Sequence, residues 1–202
     1  MRTSIEFLTK EKERKKMQIN LPNKKYNIVY ADPPWHYGSK SAVNNTIGSQ
    51  IKPLSDHYNT MTLQELIELP IKNIIKNDAV CFMWVTDSHL DEALEVFKAW
   101  GFKYKTIAFN WIKTTSKGNY CKNVAPWTMK SSEICLLGVK GTMSKYKQAN
   151  NIESLVIAER TKHSKKPQEV RNRIELLFGD LPRIELFARD KTPGWDVWGN
   201  EV

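Results

Sequence analysis

The run Tyr26-Asn27-Ile28-Val29-Tyr30-Ala31 stops at Asp32, which is followed by Pro33, Pro34 and Trp35. The residues before the acid are β-branched, aromatic or small and almost continuously apolar, as in a strand covered on both faces. In sheets of that kind chemistry collects at the carboxyl ends of the strands, where Asp32 falls. Each proline pushes the residue before it into an extended conformation, and the Pro34 nitrogen carries no hydrogen. Turn pairing of the Pro33 carbonyl is therefore not expected. The Asp32 carboxylate and the Pro33 carbonyl can point together into one pocket, roofed by the Trp35 ring. Two acceptors and a flat apolar plate make a receptor for a planar base that carries an amino group. The competing reading makes Asp32 a helix N-cap with proline in the first turn. It is opposed by His36-Tyr37-Gly38-Ser39-Lys40-Ser41, which has no helical apolar period and contains a glycine.

Asp32-Pro33-Pro34-Trp35 at a strand end resembles the catalytic tetrapeptide of S-adenosylmethionine-dependent amino-methyltransferases. Its tryptophan form is similar to the MT-A-type N6-adenine family. That family contains the seventy-kilodalton catalytic subunit of the eukaryotic mRNA methyltransferase and bacterial and phage DNA-modifying relatives. Three further stretches resemble the family: His57-Tyr58-Asn59-Thr60-Met61-Thr62, His163-Ser164-Lys165-Lys166-Pro167, and Glu185-Leu186-Phe187-Ala188-Arg189 followed by Gly194 to Glu201. Trp127 to Glu133 resembles, less closely, the segment that faces the target base. The base-binding element comes first and the cofactor elements last, which matches the permuted order of the β-type enzymes. The Gly-x-Gly turn of the wider class is absent, as in this subfamily.

The resemblance, over residues 26–202, implies an α/β fold. It would be a Rossmann-like class I methyltransferase whose mostly parallel sheet carries an antiparallel edge. It implies catalysis by Asp32, Pro33, Pro34 and Trp35, and S-adenosylmethionine binding by Asp32, Lys166, Arg189, Asn200 and Glu201. The chemistry of these side chains suits that ligand. Lys166 at a helix entrance offers a cation and free backbone donors to a carboxylate. Arg189 and Asn200 can donate to ribose hydroxyls, and Asn200 and Glu201 can accept. Expected on the substrate side are Trp35, Tyr58, Lys117, Tyr120, Lys122, Trp127 and Lys130. The partner that the resemblance implies is a nucleic acid. These residues do not separate DNA from RNA, and the bacterial and phage branch favours DNA.

A chain of 202 residues, 41% hydrophobic, suffices for one well-cored domain and is short for two. Residues 1–25 read as a basic, mixed-charge arm and residues 26–202 as a single methyltransferase domain. The net charge of +9 favours a polyanionic partner. The three cysteines are far apart and the four histidines form no ligand spacing, so neither a disulfide framework nor a metal is implied. Neither a membrane-spanning run nor a signal peptide is evident, which leaves the cytoplasm as the expected compartment. A homodimer and a heterodimer are both compatible with the chain.

Around the tetrapeptide, the polar stretch Ser39 to Asn59 reads as a lid or nucleic-acid-contacting loop. Thr62 with Glu65 forms a capping box for a helix. Residues 78–86 read as a strand, followed by a helix whose Leu90, Ala93, Leu94 and Phe97 keep a 3.6 period until Gly101. Tyr104 to Lys113 and Ser132 to Val139 read as strands without a helix between them, hence the antiparallel edge. Pro167 to Phe178 is an expected helix and Arg183 to Arg189 a last strand. Val96 to Ser132 contains no acid and seven lysines, with Tyr120 and Trp127 in its loop part. Basic residues interleaved with exposed aromatics suit phosphate tracking and base stacking. The aromatics Phe97, Trp100, Phe109 and Trp111 are assigned to the core instead. Two rivals remain at this stage: a catalytically silent nucleic-acid-binding partner subunit, and an amino-methyltransferase for cytosine or a protein amide.

Overall fold

The computed structural model describes residues 20–37, 60–125, 127–161 and 165–202. Most of the expected arm, the expected lid loop with Tyr58 in it, and His163 and Ser164 lie outside the described residues. The strands are β1 (Tyr26–Ala31), β2 (Ile75–Val85), β3 (Lys103–Thr114), β4 (Ser132–Lys140), β5 (Leu155–Glu159), β6 (Arg183–Leu186) and β7 (Asp196–Trp198). The α-helices among the described residues are α1 (Leu63–Glu68), α2 (Leu90–Trp100) and α3 (Gln168–Phe178).

All seven strands form one sheet in the order β5-β3-β4-β2-β1-β6-β7. Strand β4 runs antiparallel to β2 and β3, and every other pair is parallel. The antiparallel element expected at an edge thus occupies an inner position, with β3 and β5 outside it. This placement matters for function. The carboxyl ends of the six parallel strands and the amino end of β4 all lie along one edge of the sheet.

β1 is buried along its whole length because alternate residues face different layers. Val29 and Ala31 pack with Leu66, Val96, Phe97 and Trp100 on the α1 and α2 side. Ile28 and Tyr30 pack with Val170, Ile174 and Phe178 of α3 on the other. Each large apolar side chain removed from water in this way contributes about 1.5–3 kcal/mol. Phe97, Trp100, Phe109 and Trp111 are core residues, as expected.

Local signals in the sequence act as they should at several boundaries. Thr62 accepts a hydrogen bond from the Glu65 amide while Glu65 accepts one from the Thr62 amide at 2.9 Å, which starts α1. Gly101 closes α2 in the left-handed region at φ 87°, which glycine adopts without strain. The face of α2 differs from expectation: Ala93, Val96, Phe97 and Trp100 are buried, whereas Leu90 and Leu94 are exposed. Trp100 decides the rotation, since burying its ring and donating from its indole nitrogen to the Leu66 carbonyl at 2.8 Å outweighs burying two leucines. The last long strand ends at Leu186 instead of Arg189, because Phe187 turns the chain with φ 61°. β5 and β7 are additional strands that the sequence reading does not contain. The visible end of the arm is tied down: Lys24 pairs with Asp196 at 2.7 Å and Lys25 donates to the Asn73 carbonyl at 2.6 Å. No helix among the described residues is long and apolar enough to cross a membrane.

Candidate active site

Asp32 leaves the carboxyl end of β1 between β2 and β6, and its side chain is 28% exposed. Its carboxylate accepts a hydrogen bond from Lys166 Nζ at 2.7 Å. The Lys166 side chain is only 9% exposed and lies 3.4 Å from Glu133 as well. Glu133 in turn pairs with Lys113 of β3. Four side chains distant in sequence therefore form an alternating chain of charge, Lys113–Glu133–Lys166–Asp32. The reversed strand makes this arrangement achievable. Only because β4 starts at the reacting edge does Glu133, its second residue, stand beside the ends of β1 and β3.

The electrostatics of this chain are unequal. Burial raises the Asp32 carboxyl above its ordinary range, and Lys166 offsets only part of that rise. Burial also pushes Glu133 up, but Lys166 and Lys113 together outweigh it and hold that carboxyl low. Burial alone would lower Lys166; Asp32 and Glu133 overcome it and keep the ammonium firmly charged. Glu133 is thus held as an anion, while Asp32 is more basic than an ordinary aspartate and the more exposed of the two. Glu133 and Lys113 were missed as site residues from sequence. In the sequence Lys113 is one of the seven lysines assigned to a phosphate-tracking surface, whereas the structure buries it.

Two expectations for the tetrapeptide are corrected. The Trp35 ring does not roof a pocket: it is 5% exposed, its indole nitrogen donates to the Trp84 carbonyl at 3.2 Å, and it stacks on His89 at 5.6 Å. The cause is a buried histidine that sequence reasoning left aside. His89 is held through Nδ1 by the hydroxyls of Thr86 at 2.8 Å and Ser88 at 3.1 Å, and Nε2 lies 3.3 Å from the His36 carbonyl. Trp35 therefore locks the tetrapeptide to the end of β2 instead of offering a free face. The Pro33 carbonyl is also partly engaged, accepting from the Trp35 amide at 2.9 Å. A carbonyl oxygen has two lone pairs, so one acceptor position remains.

The chain leaves and re-enters this place on either side of the undescribed loop. Trp35 bridges Met61, Met61 donates to the Pro34 carbonyl at 2.8 Å, and His36 lies 2.9 Å from the Thr60 hydroxyl. Tyr58 precedes Thr60 by two positions and lies outside the described residues.

On the other side of Asp32, the cofactor candidates gather at the ends of β6 and β7. Phe187 holds a backbone conformation rare for a side chain of its size, supported by ring contacts with Trp100 and Trp198. The turn it makes sends Arg189 along the edge, where its charge reaches Asp32 and its guanidinium lies 3.7 Å from Glu201. Ala188 donates to the Trp198 carbonyl at 3.0 Å, and a Cβ on Gly199 would stand 2.2 Å from the Ala188 oxygen. Only glycine lets these two loops approach so closely, and the approach brings Glu201 to Arg189. Lys166 departs from its expected role, since it bridges two carboxylates instead of presenting a free cation at the entrance of α3. An ammonium has three donors, and two are used here.

The remaining candidates do not touch this cluster. Lys117, Tyr120, Lys122 and Trp127 are exposed on the β3–β4 connection. Lys130 is pinned to Asp87 at 2.8 Å. An open cleft of about 440 Å³, lined by Tyr26, Lys24 and Asp196 among others, lies at the amino ends of β1 and β7, away from the constellation. Among the described residues no group of three or more His, Cys, Asp or Glu is placed to hold a metal ion.

A carboxylate fixed at a parallel strand end by a buried lysine, beside a strained turn and a glycine-closed loop, has the form of a group-transfer site. The MT-A70 family model matches residues 26–201. The chain belongs to the MT-A70 family. The sheet is accordingly a Rossmann-like methyltransferase fold, mostly parallel with one reversed strand. Among curated relatives, the Type II methyltransferase M.MunI of a Mycoplasma species is 37% identical over 192 residues, covering 90% of this chain and 80% of its own. The human N(6)-adenosine-methyltransferase catalytic subunit METTL3 is 28% identical over 182 residues, covering 88% of this chain. An Arabidopsis thaliana MT-A70-like N(6)-adenosine-methyltransferase is 27% identical. The chain spans only 28% of the length of METTL3. As a member of the MT-A70 family, the chain is a methyltransferase.

Proposed function

We propose that the protein transfers a methyl group from S-adenosylmethionine to the N6 amino group of adenine in DNA. The observation that carries this reading is the buried bridge from Lys166 to Asp32 at the end of β1, at the centre of an edge shared with Arg189, Asn200 and Glu201. DNA is favoured over RNA because the likeness to the type II methyltransferase, a DNA-modifying class, is higher in identity and covers most of that protein. The likeness to METTL3 covers a minor part of it.

The residues fit the cofactor. Arg189, Asn200 and Glu201 would hold its ribose, and the remaining donor of Lys166 its carboxylate. Asp32 and Glu133 balance its positive charges. Bound there, the cofactor supplies an electrophilic methyl group. The adenine amino nitrogen is a poor nucleophile because its lone pair is conjugated with the ring. Asp32 and the free lone pair of Pro33 accept its two hydrogens, which draws the nitrogen toward tetrahedral geometry and frees the pair for in-line attack. In the transfer the cofactor's sulfur would keep the electron pair of the broken carbon–sulfur bond, Asp32 would stabilise the positive charge that grows on nitrogen, and the surplus N6 proton would leave through Asp32 to solvent. Lys166 holds Asp32 in place and favours its ionised form.

Incubation with methyl-labelled cofactor and separately with unmethylated DNA and RNA, followed by mass spectrometry of the nucleosides, tests the reading. Labelled N6-methyladenine from DNA is expected. Label on cytosine, or on RNA alone, would refute the substrate assignment. Tight cofactor binding with no transfer would favour the silent partner subunit.

A further inference from the structure

Strand β4 is reversed, so the connection from Thr114 to Ser132 is a hairpin that leaves from the reacting edge and returns to it. Its course is fixed by pairing. Thr115 donates to Asn119 at 2.8 Å and Cys121 to Lys113 at 2.8 Å, closing a first turn around Gly118. Asn123 and Lys130 then exchange backbone hydrogen bonds at 2.9 and 2.8 Å, closing a second loop that carries Val124 and residues 127–129. This stalk is braced on both sides. Arg160 donates to the Asn123 side chain at 3.0 Å, and Lys130 pairs with Asp87 just past the end of β2. The base of the stalk runs directly into Glu133 of the charged chain.

The tip of this braced element is apolar and turned to water. Trp127 is 96% exposed, and Val124 and Met129 are exposed beside it. A tryptophan left outside while six others are wholly or largely covered is not spare core material. Exposed Lys117, Tyr120 and Lys122 flank the tip on the same connection. We propose that the tip is a wedge: Trp127 enters the base stack of duplex DNA beside the target adenine and fills the space left when that base is turned out toward Asp32. The proposal rests on the methyl-transfer reading above and adds to it the double-stranded state of the substrate. An adenine amino group in a duplex is paired and cannot reach a carboxylate recessed at the sheet edge. Apolar side chains inserted between base steps are an established physical means of opening them, and a rigid stalk is needed to push against stacking. The flanking lysines supply contacts to the phosphates, whereas an apolar protein contact would not call for a lysine-rich surround.

The test compares native and heat-denatured unmethylated genomic DNA as substrates for wild type, Trp127→Ala and Trp127→Phe, reading incorporation of labelled methyl groups. Wild type should methylate native DNA, and Trp127→Ala should lower the native-to-denatured rate ratio by about tenfold, as expected for loss of one stacked ring. Trp127→Phe should restore most of that ratio. An equal loss on both substrates, no loss on either, or a wild type that prefers denatured DNA would overturn the wedge. A fall in molar mass of Trp127→Ala by light scattering, with the ratio unchanged, would assign the tip to a protein contact instead. If wild type labels neither substrate, the methyl-transfer reading itself fails, an outcome distinct from all of these.

Discussion

Replacing Asp32 by Asn keeps the shape of the side chain and removes its charge, so it separates the chemistry of this position from its packing. The amide oxygen can still accept one hydrogen bond, but the anion that faces the nitrogen as it becomes cationic is gone. Losing one preorganised electrostatic partner of this kind lowers the rate by about 10²- to 10³-fold. The effect on stability has the opposite character. Burial holds the Asp32 carboxyl above its ordinary value of 3.8 in the folded protein. A group whose folded pKa is raised stabilises the fold below the unfolded value, and that contribution is lost as pH rises through the folded value. At neutral pH the burial cost of the Asp32 charge and its support of the Lys166 ammonium therefore oppose each other, and a neutral amide changes stability little. Lys166 retains Glu133 at 3.4 Å. The melting temperature should move by less than about 3 °C, since roughly 1 kcal/mol corresponds to 2–4 °C in a chain of this size. Single-turnover methylation with saturating DNA and cofactor measures the chemical step, and differential scanning calorimetry measures the rest. Transfer at the wild-type rate by Asp32→Asn would show that the carboxylate only shapes the strand end, and the mechanism would fall.

The raised pKa of Asp32 also sets the acid limb of the pH–rate profile. That limb should lie above the ordinary aspartate value and move to higher pH in Lys166→Met, because Lys166 lowers the Asp32 pKa; an unmoved limb would sever the link between the two residues. Glu133 behaves in the reverse sense, since its folded pKa is depressed. Its stabilisation is present above the unfolded value of 4.5 and lost as pH falls through the folded value. Glu133→Gln should thus lose about 1–3 kcal/mol at neutral pH, with the deficit closing in acid, as read from urea unfolding at several pH values. Changing Lys117 and Lys122 to Gln should each flatten the plot of log DNA affinity against log salt by about one phosphate contact, measured by fluorescence anisotropy. Slopes unchanged from wild type in both variants would take those lysines off the phosphate path.

The sequence by itself determined the parts of this protein that depend on local chemistry. A run of apolar residues ended by Asp32, Pro33 and Pro34 can hardly be anything but a buried strand with an acid at its tip. Thr62 with Glu65, and Gly101 after a 3.6-period run, mark helix ends because capping groups and left-handed glycine act within a few residues. The resemblance names Arg189, Asn200 and Glu201 together, and the structure brings Arg189 and Glu201 side by side. Only the tertiary structure decided which partner each charge finds. Lys166 reads as a free cation until α3 and β1 bring it onto Asp32, and Glu133, the last residue of a stretch that resembles the base-facing segment, gains its partners only because β4 is reversed and inner. Whether Trp35 faces a ligand or a buried histidine depends on His89, 54 positions away, so no local pattern could settle it. The rotation of α2 that exposes Leu90 and Leu94 follows from where Trp100 fits, and the short strands β5 and β7 exist only by pairing with β3 and β6. Hydrogen bonding and burial across the sheet outweigh local propensity at each of these places, because the energy lies in contacts whose partners are distant in sequence.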